Sequence, residues 1–261
     1  MTSVPIRFAD GAVYEQSMGS WTRPAGEIFL NWVKPASGLD WVDVGCGNGA
    51  FTDVIVKRCA PASVEGIDPS EGQIKFARER DPGAPARYTQ GDALDLPFQD
   101  ATFDIAAMAL VIFFVPDPAK AVAEMVRVVR PGGTVASYSW DIMGGGFPLN
   151  SLQAELRAMG ISPPLPPSAE ASRRASLETM WANAGLKDIS VDEITVERSF
   201  PSFDALWDHF LGFSSAGIVA GMESDKQSEL KSRLSACYKP ADDGSVTNSS
   251  RAIAIRGRKP A

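Results

Sequence analysis

Three glycines stand close together at Gly45, Gly47 and Gly49, directly after a short apolar run that ends at Val44. Because glycine has no Cβ, the backbone can turn sharply there and a ligand can lie directly against the main chain. The residues from Ala50 onward predict a helix, and the first N–H groups of a helix can bind a carboxylate or a phosphate. The pattern also fits a dinucleotide-binding turn, with Ala50 at its third small position, and a tight turn that binds nothing.

A carboxylate follows at the end of the next apolar run. Asp68 closes the stretch VEGID, 25 positions after Asp43. At the end of a strand such a carboxylate can accept hydrogen bonds from the two ribose hydroxyls of a nucleoside. The arrangement suits an adenosylmethionine site and an NAD site equally, and a helix N-terminal acid without a ligand is the structural alternative.

Two later motifs favour adenosylmethionine over NAD. In GDALDLPF, the Asp92 carboxylate is placed to hold an adenine amino group, and Ala93 with its apolar neighbours is placed to cover the ring. In RVVRPGGTV, the segment Pro131-Gly132-Gly133 predicts a turn that joins a helix to a strand.

Strand and helix patterns alternate around these motifs. Strands are predicted over residues 39–44, 64–67, 86–89, 103–111, 134–140, 189–198 and 251–257. Helices are predicted over residues 25–33, 50–59, 70–80, 118–129, 176–184, 203–213 and 224–237. Alternation of this kind predicts an α/β fold in which a parallel sheet carries helices on both faces.

Composition bounds the class of partner. The chain has 261 residues, of which 44% are hydrophobic and 22% charged, as in an ordinary folded protein. Its net charge of -7 provides no broad basic field for nucleic acid or an anionic membrane. The N-terminus has no apolar signal region, and the longest apolar run, residues 105–115, is too short to cross a bilayer. We therefore expect a cytoplasmic protein with a small-molecule partner, no nucleic acid and no membrane.

The three cysteines are Cys46, Cys59 and Cys237, which are widely spaced and form no CxxC pair. This pattern argues against a disulfide framework and predicts no metal site.

The series VDVGCGNGAF, VEGIDPSEGQI, GDALDLPF, FDIAAMALVIFFVPDP and RVVRPGGTV spans roughly residues 39–140. In this order it resembles the class I S-adenosylmethionine-dependent methyltransferases, in particular the type-11 group that includes the quinone-biosynthesis methyltransferases. The resemblance implies a doubly wound, mostly parallel seven-stranded sheet of the Rossmann-like methyltransferase fold, with an antiparallel last strand. It also implies S-adenosyl-L-methionine as cofactor and in-line methyl transfer to a small-molecule acceptor.

The resemblance assigns site residues by motif match. Gly45 and Gly47 would line the methionine part, Asp68 would hold the ribose, and Leu110 would pass near the methyl-bearing sulfur. The expected cofactor-binding residues are Asp43, Gly45, Cys46, Gly47, Asp68, Pro69, Gln73, Asp92, Ala93 and Leu110. One departure is that relatives often carry His-His where this chain has Phe113 and Phe114. The change favours an apolar acceptor or simple packing.

Segments outside the motif series are expected to cover the site. The sequence YEQSMGSWTR resembles a segment that folds over the cofactor in one branch of the group, so residues 1–38 are predicted to be a cofactor-covering segment. Residues 39–261 form the predicted methyltransferase domain, with small helical or irregular cap insertions near 141–170 and 200–222. The candidates for the acceptor pocket are Tyr14, Met18, Trp21, Phe114, Phe147, Trp207 and Phe210. Core or cap packing is the alternative for each.

His209, the single histidine, is the weak candidate for a catalytic residue, because an acceptor that loses a proton early needs a general base. The favoured alternative is the polar face of an amphipathic helix.

Two other functions stay open at this point. An NAD-dependent oxidoreductase is supported by the glycine turn and Asp68 but lacks a Tyr-x-x-x-Lys motif, and a non-catalytic S-adenosylmethionine-binding module retains the whole motif series. The acceptor and the oligomeric state are not determined.

Overall fold

The computed structural model describes residues 18–80, 85–213 and 216–261 of the chain. In these ranges seven strands form one sheet in the order β3-β2-β1-β4-β5-β7-β6. The strands are β1 (Asp40–Val44), β2 (Ser63–Asp68), β3 (Ala86–Gln90), β4 (Phe103–Ala109), β5 (Val129–Trp140), β6 (Lys187–Phe200) and β7 (Val246–Arg258).

The sheet is mostly parallel. β1 lies between β2 and β4 and is parallel to both, β3 adds to β2, and β5 adds to β4. β7 is antiparallel to each of its neighbours, β5 and β6. The central strands are apolar along most of their length, as expected where helices cover both faces of a parallel sheet. The predicted seven-stranded, mostly parallel sheet with an antiparallel last strand is confirmed.

Helices connect the strands and extend beyond them. They are α1 (Ser20–Val33), α2 (Ala50–Cys59), α3 (Glu71–Arg80), α4 (Pro118–Val128), α5 (Asn150–Ala158), α6 (Arg174–Asn183), α7 (Phe203–Leu211), α8 (Ala216–Ala220) and α9 (Ser224–Ala236), with 3-10 turns at Ile112–Phe114 and Ala169–Ser172. None of the helices in the described ranges combines the length and the apolar character that crossing a bilayer requires.

Helix α1 belongs to the same hydrophobic core as the sheet. Its Phe29 lies 4.8 Å from the ring of Tyr138 and 5.9 Å from that of Phe51, measured between centroids. Its Trp21 meets Trp140 edge to face at 6.4 Å. The predicted role of residues 1–38 as a cofactor-covering segment falls partly on residues 1–17, which lie outside the described residues.

Two strand predictions near the motifs are corrected. β4 ends at Ala109 rather than at residue 111, because Leu110 adopts a left-handed backbone with φ +61° and a 3-10 turn follows. The Pro131-Gly132-Gly133 segment lies inside β5, not between a helix and a strand. Val129 already pairs with Phe103, and the pairing shifts before it resumes at Thr134, so the segment forms a bulge.

The last two strands are longer than predicted. β6 and β7 pair with each other from Lys187 to Phe200, whereas β5 ends at Trp140, opposite Ala252. Residues 195–200 of β6 and 246–251 of β7 therefore continue past the carboxyl edge of β5, and we call this extension the β6–β7 arm. The predicted single helix over 203–213 is one of two in the cap segment, α7 and α8, and α7 packs on β6 and β7.

The packing of α1 gives a test of the fold. Phe29→Ala should lower the free energy of unfolding by about 3–5 kcal/mol, because it removes a fully buried aromatic side chain. Ile28→Ala, the neighbouring residue with 40% of its surface exposed, is the matched control and should change stability by less than about 0.5 kcal/mol. Urea denaturation measures both. Equal effects of the two substitutions would contradict the position of α1.

Candidate functional site

The predicted cofactor residues meet at one edge of the sheet. β1, β2, β3 and β4 are parallel, so the segments that follow them leave from the same carboxyl edge. From β1 the strand order runs in both directions, to β2 and β3 on one side and to β4 and β5 on the other. Ligands of open α/β sheets bind at such a switch in strand order.

The glycine loop after β1 leaves open space at one position. Gly45, Gly47 and Gly49 all have left-handed backbones, with φ of +77°, +52° and +79°. A Cβ on Gly45 would lie 2.5 Å from Val111, and one on Gly49 would lie 2.8 Å from the hydroxyl of Tyr88. A Cβ on Gly47 would meet no atom of the described residues within 4 Å. Gly47 thus presents bare main chain to a space that a ligand can occupy.

Asp68 is fixed beside that space by two main-chain donors. The Gly47 N–H donates to its Oδ2 at 3.0 Å, and the Ser70 N–H donates to its Oδ1 at 2.8 Å. Burial raises the pKa of Asp68, and the two N–H bonds oppose this rise. A carboxylate has about four acceptor positions, so both oxygens retain capacity for further donors such as the hydroxyls of a ribose.

Asp43 is a fully buried acid at the end of β1. Its Oδ2 accepts a hydrogen bond of 2.6 Å from the Thr52 hydroxyl, whereas its Oδ1 has no partner among the described residues. Burial raises the pKa of Asp43 to about 7; the Thr52 bond lowers it, and the charge of Asp68 adds to the rise. Because the carboxyl group is out of contact with solvent and one oxygen has no donor among the described residues, its burial favours the protonated form.

The Cys46 side chain is used for packing. It is buried in a small cluster with Ile74, Ala77 and Tyr88, and burial raises the pKa of its thiol well above the usual range. Only the main chain of Cys46 is therefore suited to a ligand.

Cys46 and Cys59 are buried thiols and Cys237 is exposed. The part of the chain that the structure describes holds no group of three or more His, Cys, Asp or Glu side chains arranged for a metal ion.

The other predicted cofactor residues follow the neighbouring strands. Gln73 is buried in α3 and Pro69 is exposed after β2. Asp92 is exposed after β3, where its Oδ1 accepts from the Leu94 N–H at 2.9 Å and Ala93 is half-buried beside it. Leu110 is buried after β4, and its N–H donates to the Tyr138 carbonyl at 2.7 Å. All ten residues are thus placed along one edge, and their contacts with a cofactor stay predictions.

The predicted acceptor residues are less uniformly placed. Met18, Trp21, Trp207 and Phe210 are buried, and Phe114 and Phe147 are partly buried. Tyr14 lies outside the described residues. Phe113 and Phe114 contact each other edge to face at 4.6 Å, which agrees with packing at the positions where relatives often carry histidines. The pocket itself stays a prediction.

His209, in α7, is engaged by two donors on one nitrogen. Its Nε2 accepts from the Trp21 indole N–H at 3.0 Å and from the Arg198 guanidinium at 3.1 Å. Both partners only donate, so the proton of the neutral ring is on Nδ1. Burial, with a smaller effect of the Arg198 charge, lowers the pKa of His209 to about 4. The geometry favours the structural alternative, and the general-base role stays an untested prediction.

Two arginines near the site were not predicted. Arg23 in α1 donates to Asp53 Oδ2 at 3.0 Å, and the Asp53 N–H donates to the Gly49 carbonyl, so this ion pair joins α1 to the first turn of α2. Arg198 in β6 contacts Trp21 and His209. Arg23 lies in the YEQSMGSWTR segment, and Arg198 interrupts the alternating strand pattern. These two features of the sequence were the signals that could have identified the two arginines.

A family model and several relatives with a named activity indicate one class of protein. A family model described as a methyltransferase domain matches residues 42–137. A malonyl-[acyl-carrier protein] O-methyltransferase of Methylococcus capsulatus is 30% identical over 209 residues, which are 78% of this chain and 72% of that protein. A demethylmenaquinone methyltransferase of Desulfitobacterium hafniense is 37% identical over 110 residues, 40% of this chain and 44% of that protein.

The fold is also found in a solved structure. A phosphoethanolamine N-methyltransferase of Haemonchus contortus, in complex with phosphomonomethylethanolamine and S-adenosylhomocysteine, matches with a TM-score of 0.59. The match covers 96% of this chain and 57% of that one at 18% identity. At this identity the likeness concerns the fold alone.

The buried acid predicts a pH dependence of stability. Between pH 4 and 7 the folded chain retains the Asp43 proton that the unfolded chain releases, so this residue makes the free energy of unfolding fall as pH rises, by up to about 4 kcal/mol. Asp43→Asn should abolish that component while it preserves an acceptor for Thr52. Urea denaturation of ligand-free protein across this range measures it.

The comparison of the two proteins isolates Asp43. His209, with its lowered pKa, makes stability rise with pH in both proteins, so its effect cancels in the difference. Parallel pH curves for wild type and Asp43→Asn would contradict a raised pKa at Asp43.

Proposed function

The chain belongs to the family of S-adenosylmethionine-dependent methyltransferases, and from this premise we propose that it methylates a small-molecule acceptor held between the carboxyl edge of the sheet and the cap segments near 141–170 and 200–222. The observation that carries the proposal is the Asp68 carboxylate bonded at 3.0 Å to the open main chain of Gly47. The relative named for demethylmenaquinone supports an acceptor of small-molecule type, and the relative named for malonyl-[acyl-carrier protein] acts on a small acyl group that a carrier protein bears.

The residues present fit S-adenosylmethionine, which is the cofactor of the family. In our proposal Asp68 accepts from the ribose hydroxyls, the main chain of Gly45 and Gly47 lies along the methionine part, and Asp92 with Ala93 faces the adenine. The amino acid part of S-adenosylmethionine carries an ammonium group and a carboxylate. Its carboxylate is suited to the first N–H groups of α2, which directly follow the glycine loop.

The chemistry asked of the protein is mainly positioning. S-adenosylmethionine supplies a methyl group that is already activated on a sulfonium. The chain must therefore align the acceptor and exclude water, and orientation of this kind contributes about 7–11 kcal/mol in favourable cases. The buried aromatic side chains around Trp21 and Phe210 provide an apolar wall for this purpose. A general base is required only for an acceptor that loses its proton early.

Membership of the family favours neither of the two other functions considered for the sequence. The glycine turn and Asp68 are explained without a nicotinamide, and the named relatives are transferases rather than non-catalytic binding proteins.

The glycine loop offers a matched pair of variants. Gly47→Ala and Gly132→Ala both place a Cβ at positive φ in open space, so each should lower the free energy of unfolding by about 1–2 kcal/mol. Only Gly47→Ala should weaken S-adenosylhomocysteine binding, by at least about tenfold, because its Cβ enters the space proposed for the ligand. Isothermal titration calorimetry measures the affinities. The proposal fails if wild type binds neither S-adenosylmethionine nor S-adenosylhomocysteine, or if both variants bind like wild type.

Asp68 gives a second, independent test. Asp68→Asn should weaken S-adenosylhomocysteine binding by about 10–100-fold, the value of one or two hydrogen bonds to a charged acceptor. Glu65→Gln is the control on the same strand, because the ion-pair partner of Glu65 among the described residues is the exposed Arg87, at 3.9 Å. Comparable losses in the two variants would point to an effect on folding and contradict a ribose contact.

A further inference from the structure

Arg198 is a charged residue in an apolar row. Along the inward side of β6, Ile194, Val196 and Phe200 are buried, and Arg198 occupies the position between the last two. The intervening residues, Thr195, Glu197 and Ser199, are exposed. A half-buried cation at an inward position costs free energy unless a charged or strongly polar group compensates it.

The partners of Arg198 within the described residues are neutral. Its Nη1 donates to the Ser20 hydroxyl at 2.6 Å and to His209 Nε2 at 3.1 Å. Its guanidinium stacks at 5.3 Å on the ring of Trp21 and at 4.9 Å on that of Phe200. Neither of these hydrogen-bond partners among the described residues is a carboxylate. Burial lowers its pKa, as expected for a cation without a counter-ion.

A second arginine at the other end of α1 provides the contrast. Arg256 of β7 also stacks on a tryptophan, Trp32, at 4.8 Å. It donates to the carbonyl oxygens of Trp32 and Val33 at the C-terminal end of the helix, at 3.3 and 2.8 Å. The partial negative charge of a helix C-terminus compensates this cation. Arg198 has no equivalent compensation.

Two more polar groups without partners lie on the same face of the sheet. The Trp140 indole N–H and the Ser250 hydroxyl are buried and have no hydrogen-bond partner among the described residues. Trp140 pairs with Ala252, two positions from Ser250, and Ser250 pairs with Val196. Residues opposite each other in an antiparallel pair share a face, so Trp140, Ser250 and Arg198 form a diagonal row across β5, β7 and β6.

This row lies at the end of β5 and continues beyond it. Arg198 stands four residues past Ile194, which lies level with the end of β5, so it is roughly 13 Å beyond the carboxyl edge along the β6–β7 arm. Trp21 touches both ends of the row, at Trp140 and at Arg198. Both ends of the row therefore lie next to the ring of Trp21.

We propose that Arg198 binds an oxyanion of the methyl acceptor, a carboxylate or a phosphate attached to an apolar or aromatic body. A guanidinium matches either anion with two parallel hydrogen bonds. The inference rests on the proposed function, because it names the acceptor class of that same site.

The experiment compares charged and neutral probes of one shape. Wild type, Arg198→Met and the control Arg256→Met are saturated with S-adenosylhomocysteine and titrated calorimetrically with benzoate, phenyl phosphate and benzamide. Wild type and Arg256→Met should bind at least one anion ten or more times more tightly than benzamide, and the preferred anion distinguishes carboxylate from phosphate. Arg198→Met should lose this preference and retain its S-adenosylhomocysteine affinity within about twofold.

Several results would overturn the inference. It fails if loaded wild type binds neither anion, if benzamide binds as tightly as the anions, or if Arg198→Met retains the preference. If Arg198→Met instead weakens S-adenosylhomocysteine, the guanidinium serves the cofactor and the inference fails while the proposed function stands. If wild type does not bind S-adenosylhomocysteine at all, the proposed function itself fails.

A second variant covers the case in which Arg198→Met does not fold. Arg198→Lys keeps the charge but not the planar fork, so binding of the preferred anion should weaken about tenfold while the preference over benzamide persists. Unchanged anion affinity in Arg198→Lys would contradict the proposed contact.

Discussion

The site depends on one contact, the hydrogen bond from the Gly47 main chain to the Asp68 carboxylate. It joins the loop after β1 to the end of β2, and so fixes a left-handed backbone and an acid at a single edge of the sheet. Glycine is required at positions 45 and 49 because a Cβ at either position would collide with Val111 or Tyr88. At Gly47, by contrast, a Cβ would meet no atom of the described residues, so the loop is open at this position.

Helix α1 connects this edge to the rest of the fold. Arg256 holds its C-terminal end through carbonyl oxygens, and Arg198 holds its first turn through Ser20 and Trp21. Between these ends Phe29 packs on Tyr138 of β5. A shift of the β6–β7 arm would consequently move Trp21 and His209 together. Helix α1 thus contacts both the β6–β7 arm and the core.

The sequence predicts what is encoded locally. The central strands follow from apolar runs, and the cofactor edge follows from Gly45, Gly47 and Asp68, because each motif acts within a few residues of its own strand. The β6–β7 arm was underestimated because those strands pair with each other where no parallel strand adjoins them. The short β4 depends on the left-handed Leu110, a conformation that its residue type does not indicate. Arg198 reaches Ser20 across 178 positions, and no local pattern reveals such a pair.

This difference explains why the sequence indicates the cofactor half of the proposed site more directly than its acceptor half. The cofactor half is made of main-chain turns and acids inside one continuous motif series, so many chains can share it. In our proposal the acceptor half is assembled from α1, α7 and the β6–β7 arm, which are far apart in the sequence and meet only through folding. Phe113 and Phe114, which contact each other edge to face, lie instead in the 3-10 turn after β4. Under this proposal, acceptor choice would diverge through the contacts between α1, α7 and the arm while the glycine loop and Asp68 remain unchanged.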